Sequence, residues 1–165
     1  MLIKYICRAA LRLYEVKMNI NVKIKLTRGA TLPAYATDGS AAVDLRAALE
    51  GGSVTIAPGC RVAIPTGIAI SPETRGVVAI IAGRSGLGFK HGISLANGIG
   101  VIDSDYRGEI SVCLHNKSDA PYTVSDGDRV AQMMFVPIYT AALIPAEELD
   151  QTDRGTGGFG STGKN

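Results

Sequence analysis

Four stretches of the chain carry side chains suited to holding oxyanions or activating water. Gly100-Val101-Ile102-Asp103-Ser104-Asp105-Tyr106-Arg107-Gly108 ends a short apolar run in two carboxylates one residue apart, then a tyrosine and a turn glycine. That order suits a β-hairpin, with a carboxylate and an aromatic ring at a rim where a small molecule can be held. Gly83-Arg84-Ser85-Gly86 offers a guanidinium fork, a hydroxyl and flexible backbone N–H groups, a suitable kit for oxyanions. Gly127-Asp128-Arg129-Val130-Ala131-Gln132 leads a turn into an apolar strand, and Arg154 to Gly163 gathers Arg, hydroxyls and glycines around one ring, Phe159. Any one such run is more often an ordinary turn; several on one small chain point to phosphate chemistry. A carboxylate base activating water at phosphorus fits the inventory, with the phosphate charge met by Arg and by Mg²⁺ carried on the substrate.

Near-matches to other chemistries fail on detail. Gly158 to Lys164 has P-loop spacing, but Asn165 stands where Ser/Thr belongs, and a P-loop needs a strand before it and a helix after it. Asp103-x-Asp105 imitates the opening of an EF-hand loop, yet Arg107 replaces the third ligand and Leu114 sits where the bidentate Glu belongs. A serine nucleophile is unsupported, because Ser85 lacks the G-x-S-x-G elbow and only His91 and His115 could serve as base. No His/Cys cluster suggests a hydrolytic metal centre.

The elements that must position these runs read as β-structure. The chain has 165 residues, a length that suits one domain with a core needing no staples. A net charge of +2 without a concentrated basic face argues against a general nucleic-acid binder, and no apolar run reaches the length of a membrane span. Cys7, Cys60 and Cys113 are scattered, which suggests buried thiols in a reducing, cytoplasmic setting.

From Asn21 onward Val22, Ile24 and Leu26 alternate with Lys23 and Lys25, the mark of a half-buried strand. Further strand-like runs lie at Ser53–Ala57, Arg61–Ile70, Val77–Ala82, Glu109–His115, Tyr122–Val124 and Arg129–Tyr139, with turn signals at the spacing of sandwiches and barrels. Pro65 and Pro137 mark two of them as bent or edge strands. Pro145–Leu149 is a candidate helical turn. The expected architecture is all-β, a jelly-roll-like double sheet. Residues 1–17 stand apart: Lys4, Arg8 and Arg12 would share one helical face, reading as a dispensable extension ahead of Met18, with a targeting segment as the alternative. Residues 18–149 form the expected β-domain, and the glycine-rich 150–165 a mobile tail.

Together the runs resemble the trimeric deoxyuridine triphosphatase (dUTPase) family, whose five motifs occur here in order from about Met18 to the C-terminus. They are Ser40-Ala41-Ala42-Val43-Asp44-Leu45, Gly83 to Gly88, Asn97 through Gly108, Gly127 to Met133, and Arg154 to Gly163. Gly83 stands where the family commonly has proline, and Ala42 where it has glycine; neither change removes a reactive group. The resemblance implies hydrolysis of dUTP to dUMP and pyrophosphate by a jelly-roll-like (β-clip) homotrimer using Mg²⁺, in pyrimidine deoxynucleotide metabolism that keeps uracil out of DNA. It makes Asp103 the general base at the α-phosphorus and Tyr106 the ring that packs on deoxyribose. The backbone of Gly100, Val101 and Ile102 would read uracil, assisted by Asn97, with Phe159 stacking on the base. Arg84, Ser85, Gly86, Gln132, Arg154, Ser161 and Thr162 would hold phosphates. Asp44 would serve the metal–phosphate end through water or structurally, with no direct metal ligand from the chain. Sites of the family draw on three subunits, so a lone chain would be inactive. Two alternatives stay open: a dCTP deaminase or bifunctional relative on the same fold, and a non-catalytic nucleotide-sensing trimer.

Overall fold

The computed structural model describes residues 19–158. The basic face of residues 1–17, Cys7, Phe159, Ser161 and Thr162 lie outside the described residues. Among the described residues, eleven strands and one short helix follow in order: β1 Val22–Leu26, β2 Val43–Arg46, β3 Ser53–Ile56, β4 Arg61–Pro65, β5 Ile68–Pro72, β6 Val77–Ala82, α1 Ser85–His91, β7 Ile93–Leu95, β8 Gly100–Ile102, β9 Ser111–Asn116, β10 Tyr122–Ser125 and β11 Arg129–Pro137. All pairings are antiparallel. A four-stranded sheet β2-β11-β6-β8 and a three-stranded sheet β4-β9-β7 share one core, flanked by the pairs β1-β5 and β10-β3. This is the expected all-β, jelly-roll-like double sheet.

The hydrophobic pattern explains the layers. β6 reads Val-Val-Ala-Ile-Ile-Ala, and its consecutive residues Val77, Val78 and Ala79 are all buried, so both of its faces are covered there and both are apolar. β9 alternates buried Val112 and Leu114 with half-buried Cys113 and His115, as a strand with one face on the core must. Leu45, Ile56, Ile64, Ile110, Leu114, Val124, Val130 and Met133 are almost wholly buried, each worth roughly 1.5–3 kcal/mol of apolar burial.

Several expectations change. The run Arg61–Ile70 is two strands in different sheets, split at Gly67, whose φ of +67° and close approach to Thr27 O require glycine. Pro65 ends an edge strand, but Pro137 ends β11, a strand inside its sheet that bends instead at a bulge between Arg129 and Ala131. Pro145–Leu149 is not helical; Leu149 is exposed and the segment packs on nothing that could stabilise so short a helix. Cys60 is exposed in the turn after Pro58-Gly59, not buried. The Gly100–Gly108 stretch is not a hairpin: β8 pairs with β6 while β9 pairs with β4 and β7, so the chain crosses from one sheet to the other. No helix among the described residues is long and apolar enough to cross a membrane.

Candidate active site

The phosphate-binding candidates are brought together by strand register. Gln132 of β11 is the direct cross-strand partner of Asp44 on one side and of Ala82 on the other, so its side chain shares a sheet face with that of Asp44. Two residues after Ala82, the chain leaves β6 at Arg84. The Arg84 Nε donates to Asp44 Oδ1 at 3.0 Å, and Arg129 Nη1 donates to Asp44 Oδ2 at 3.3 Å. Arg84 Nη1 also reaches the Arg129 carbonyl at 3.2 Å. Asp44 and Arg84 are partly buried, at 21% and 22% side-chain exposure, while Arg129 is half-exposed. One carboxylate thus orients two guanidiniums and leaves the patch with net positive charge. Arg129 belongs to the oxyanion-suited run 127–132 but is not among the expected phosphate residues; its signal is a cation that opens the strand carrying Gln132.

Arg84 is also the N-cap of α1, with extended φ −88° and ψ 130°. Its carbonyl accepts the amides of Leu87 and Gly88 at 3.1 and 3.0 Å, whereas the first amides of a helix have no intrahelical partner. The helix ends at Gly92 in the left-handed region, whose N–H bonds back to Gly88 and Leu87, and Lys90 and His91 occupy its last turn. His91 packs on Tyr122 with ring centroids 5.1 Å apart. Burial, reinforced by Asp128 and opposed by Arg84, holds the Tyr122 phenol above its ordinary value. Gly83 has no left-handed φ and a side chain there would touch only Leu95, so the departure from proline leaves the turn unstrained.

At the other end of β6 lies the turn that carries Asp103. Val101, Ile102, Asp103, Tyr106, Glu109, Ile110 and Ser111 line a cleft of about 370 Å³. The turn is closed by Tyr106 N–H donating to Asp103 O at 3.1 Å. Arg107 Nη1 secures it, donating to Ser104 O at 2.8 Å and Tyr106 O at 3.0 Å. The Asp103 side chain is exposed and accepts no hydrogen bond from the described residues. Asp105 is likewise exposed but does not line the cleft, which separates the two carboxylates of the motif. Among the described residues β8 pairs only with β6, so its second edge is open, leaving outward backbone groups available to a ligand. A Cβ at Gly100 would stand 3.0 Å from Ile81 Cβ, so a side chain there would have to press Ile81 aside by a few tenths of an ångström. Asn97 is exposed in the turn before β8 and does not line the cleft.

These two ends do not meet within one chain. Ile102 is opposite Ala79, so Asp103 extends beyond it toward Val78, while Asp44 lies level with Ala82 on the far side of β11. Four residues along the strands and three strand spacings across them place the backbones of Asp44 and Asp103 about 20 Å apart. Arg154 is also remote in kind: its Nε donates to Gly157 O at 2.9 Å within an isolated exposed turn. A larger recess of about 670 Å³ runs from Asp44 and Arg129 past Arg46 and Asp126 to the segment 28–36, and does not reach Asp103. Among the described residues no group of three His, Cys, Asp or Glu could hold a metal ion.

Comparison with known proteins gives concordant matches. The family model for dUTPase matches residues 28–163. A deoxyuridine 5'-triphosphate nucleotidohydrolase of Desulfitobacterium hafniense is 53% identical over 148 residues, spanning 88% of this chain and 97% of its own. One from Shewanella baltica is 54% identical over 132 residues, spanning 80% and 86%. Among solved structures, the Staphylococcus bacteriophage 80alpha dUTPase with dUPNHPP aligns at a TM-score of 0.77 and 26% identity, covering 89% of this chain and 99% of the phage protein.

Proposed function

Since the chain belongs to the dUTPase family, we propose that it hydrolyses dUTP to dUMP and pyrophosphate, with Asp103 as general base. The observation that carries this reading is the contrast between carboxylates. Asp103 has no side-chain partner among the described residues and lies beside a tyrosine-walled cleft, whereas Asp44 is bonded by Arg84 and Arg129. A base needs a free lone pair directed at water; an orienting carboxylate does not.

Asp103 takes a proton from a water molecule as its oxygen bonds to the α-phosphorus. The α–β phosphoanhydride breaks, and the electron pair leaves with pyrophosphate. Arg84, Ser85, Gly86 and Gln132 bind the phosphate chain, the forked guanidinium matching phosphate oxygens and meeting the charge that grows on the leaving group. The substrate is the Mg²⁺ complex of dUTP, in which the ion screens the triphosphate charge. Asp44, bonded by two guanidiniums, would serve such an ion through water or structurally. The open edge of β8 at Gly100, Val101 and Ile102 reads uracil with help from Asn97. Tyr106 packs on the deoxyribose.

The separation of about 20 Å between the two ends supports a homotrimer in which one chain's phosphate patch faces a neighbour's Asp103 turn. Arg154, Phe159, Ser161 and Thr162 close over the substrate. The described part of the tail suits that role: its backbone hydrogen bonds, Gly155 N–H to Thr152 O and Gly157 N–H to Arg154 O, both at 3.0 Å, stay within the tail. A cytoplasmic enzyme with a dispensable segment 1–17 goes with this reading.

Pyrophosphate release measured across dUTP, dTTP, dCTP and UTP with Mg²⁺ tests it. Strong preference for dUTP is expected. Ammonia release from dCTP, or no turnover of dUTP, would contradict it.

A further inference from the structure

The Tyr106 side chain folds back over the residues that follow it, its hydroxyl donating to Glu109 O at 3.2 Å. The ring rests on Gly108. A Cβ at that position would overlap the Tyr106 hydroxyl and stand 2.5 Å from Cζ and 3.0 Å from Cε2, the three nearest atoms all belonging to that ring. Backbone conformation does not demand glycine there, since the φ of Gly108 lies outside the left-handed region. Glu109 is itself fastened: its carboxylate accepts Gly67 N–H at 2.8 Å and Arg28 Nε at 3.2 Å. The acceptor that holds the phenol is therefore fixed to the body of the domain.

We infer that Gly108 is a specificity-determining residue: by lacking a side chain it seats the Tyr106 ring on the 108–109 backbone, and that seat sets how closely a 2′-substituent can approach. The inference rests on the reading of Tyr106 as the ring that packs on deoxyribose. An added methyl group has no route to accommodation except through the ring, which must swing away from Glu109. The face that packs on the deoxyribose then moves, while Asp103, five residues away on the other side of the turn, keeps its backbone hydrogen bond.

The test compares kcat/KM for dUTP and UTP in the wild-type protein, Gly108→Ala, Tyr106→Ala and the double variant. Gly108→Ala should lower the dUTP/UTP ratio about tenfold, and should add little in the Tyr106→Ala background, because its effect travels through the ring. A wild-type ratio in Gly108→Ala overturns the inference, and so does an equal drop in the Tyr106→Ala background. Should Gly108→Ala fail to fold, Tyr106→Phe decides: it keeps the ring, removes its tie to Glu109 O, and should lower the ratio about threefold, whereas an unchanged ratio overturns the seat. Wild-type protein that releases no pyrophosphate from dUTP would sink the underlying reading, an outcome distinct from an active enzyme with an unaltered ratio.

Discussion

At one end of β6 an aspartate is held between two guanidiniums, and at the other an aspartate stands free. Asp44 is bonded by Arg84 and Arg129 and lies in register with Gln132, so its charge is spent on holding cations in place. Asp103 has no side-chain partner among the described residues; its turn is instead held by backbone carbonyls, through Arg107 and the Tyr106 amide. On the proposed reading the same residue type does two jobs. A paired carboxylate buys orientation of its neighbours, and an unpaired one keeps its lone pairs for water.

Substitution at each end should separate the two jobs. Asp103→Asn should lower kcat by about 10²–10⁴-fold while the Kd for dUTP stays within a few-fold, measured by calorimetry and pyrophosphate release. Its thermal stability should stay close to wild type, as for an exposed residue without partners. Asp44→Asn should behave differently: kcat/KM falls about tenfold as the guanidiniums lose their guide, and stability falls by about 1 kcal/mol because the partly buried ion pairs are lost. If Asp44→Asn proved the more damaging to kcat, the assignment of roles would be reversed.

The smallest expected effect lies beside the phosphate patch. The folded-state pKa of Tyr122 is raised, chiefly by burial. Its contribution to stability is therefore fully present below the unfolded value of about 10 and lost as pH rises through the folded value. Tyr122→Phe should flatten that alkaline loss, seen as a smaller drop in Tm above the unfolded phenol pKa, with neutral-pH activity little changed.

Much of this was legible in the sequence, for reasons that differ by element. β1 shows clean alternation and β6 a continuous apolar run, both local signals that tertiary structure left intact. The phosphate and turn motifs were legible because their chemistry resides in a few adjacent residues. α1 was not: Ser-Gly-Leu-Gly-Phe-Lys-His has two glycines and a single buried residue, Leu87, and is held by its caps and not by an apolar stripe. β2 and β7 are only four and three residues long, too short for a period to register. The crossing of Gly100–Gly108 between sheets was illegible for a deeper reason. Whether β8 pairs with β6 or folds back on β9 depends on partners far away in sequence, and only the register places Asp103 away from Arg84.

The distance between those two residues within a chain makes the sharing of the site the most exposed claim. Asp103→Asn and Arg84→Ala proteins, each expected to be nearly inactive, can be unfolded together in equal amounts and refolded as mixed trimers. If Asp103 of one chain serves Arg84 of another, about a quarter of the sites formed by random association regain both wild-type groups, and pyrophosphate release recovers to that fraction of wild type. Recovery absent from trimers verified to be mixed would mean that each chain supplies both groups to its own site, contradicting the account.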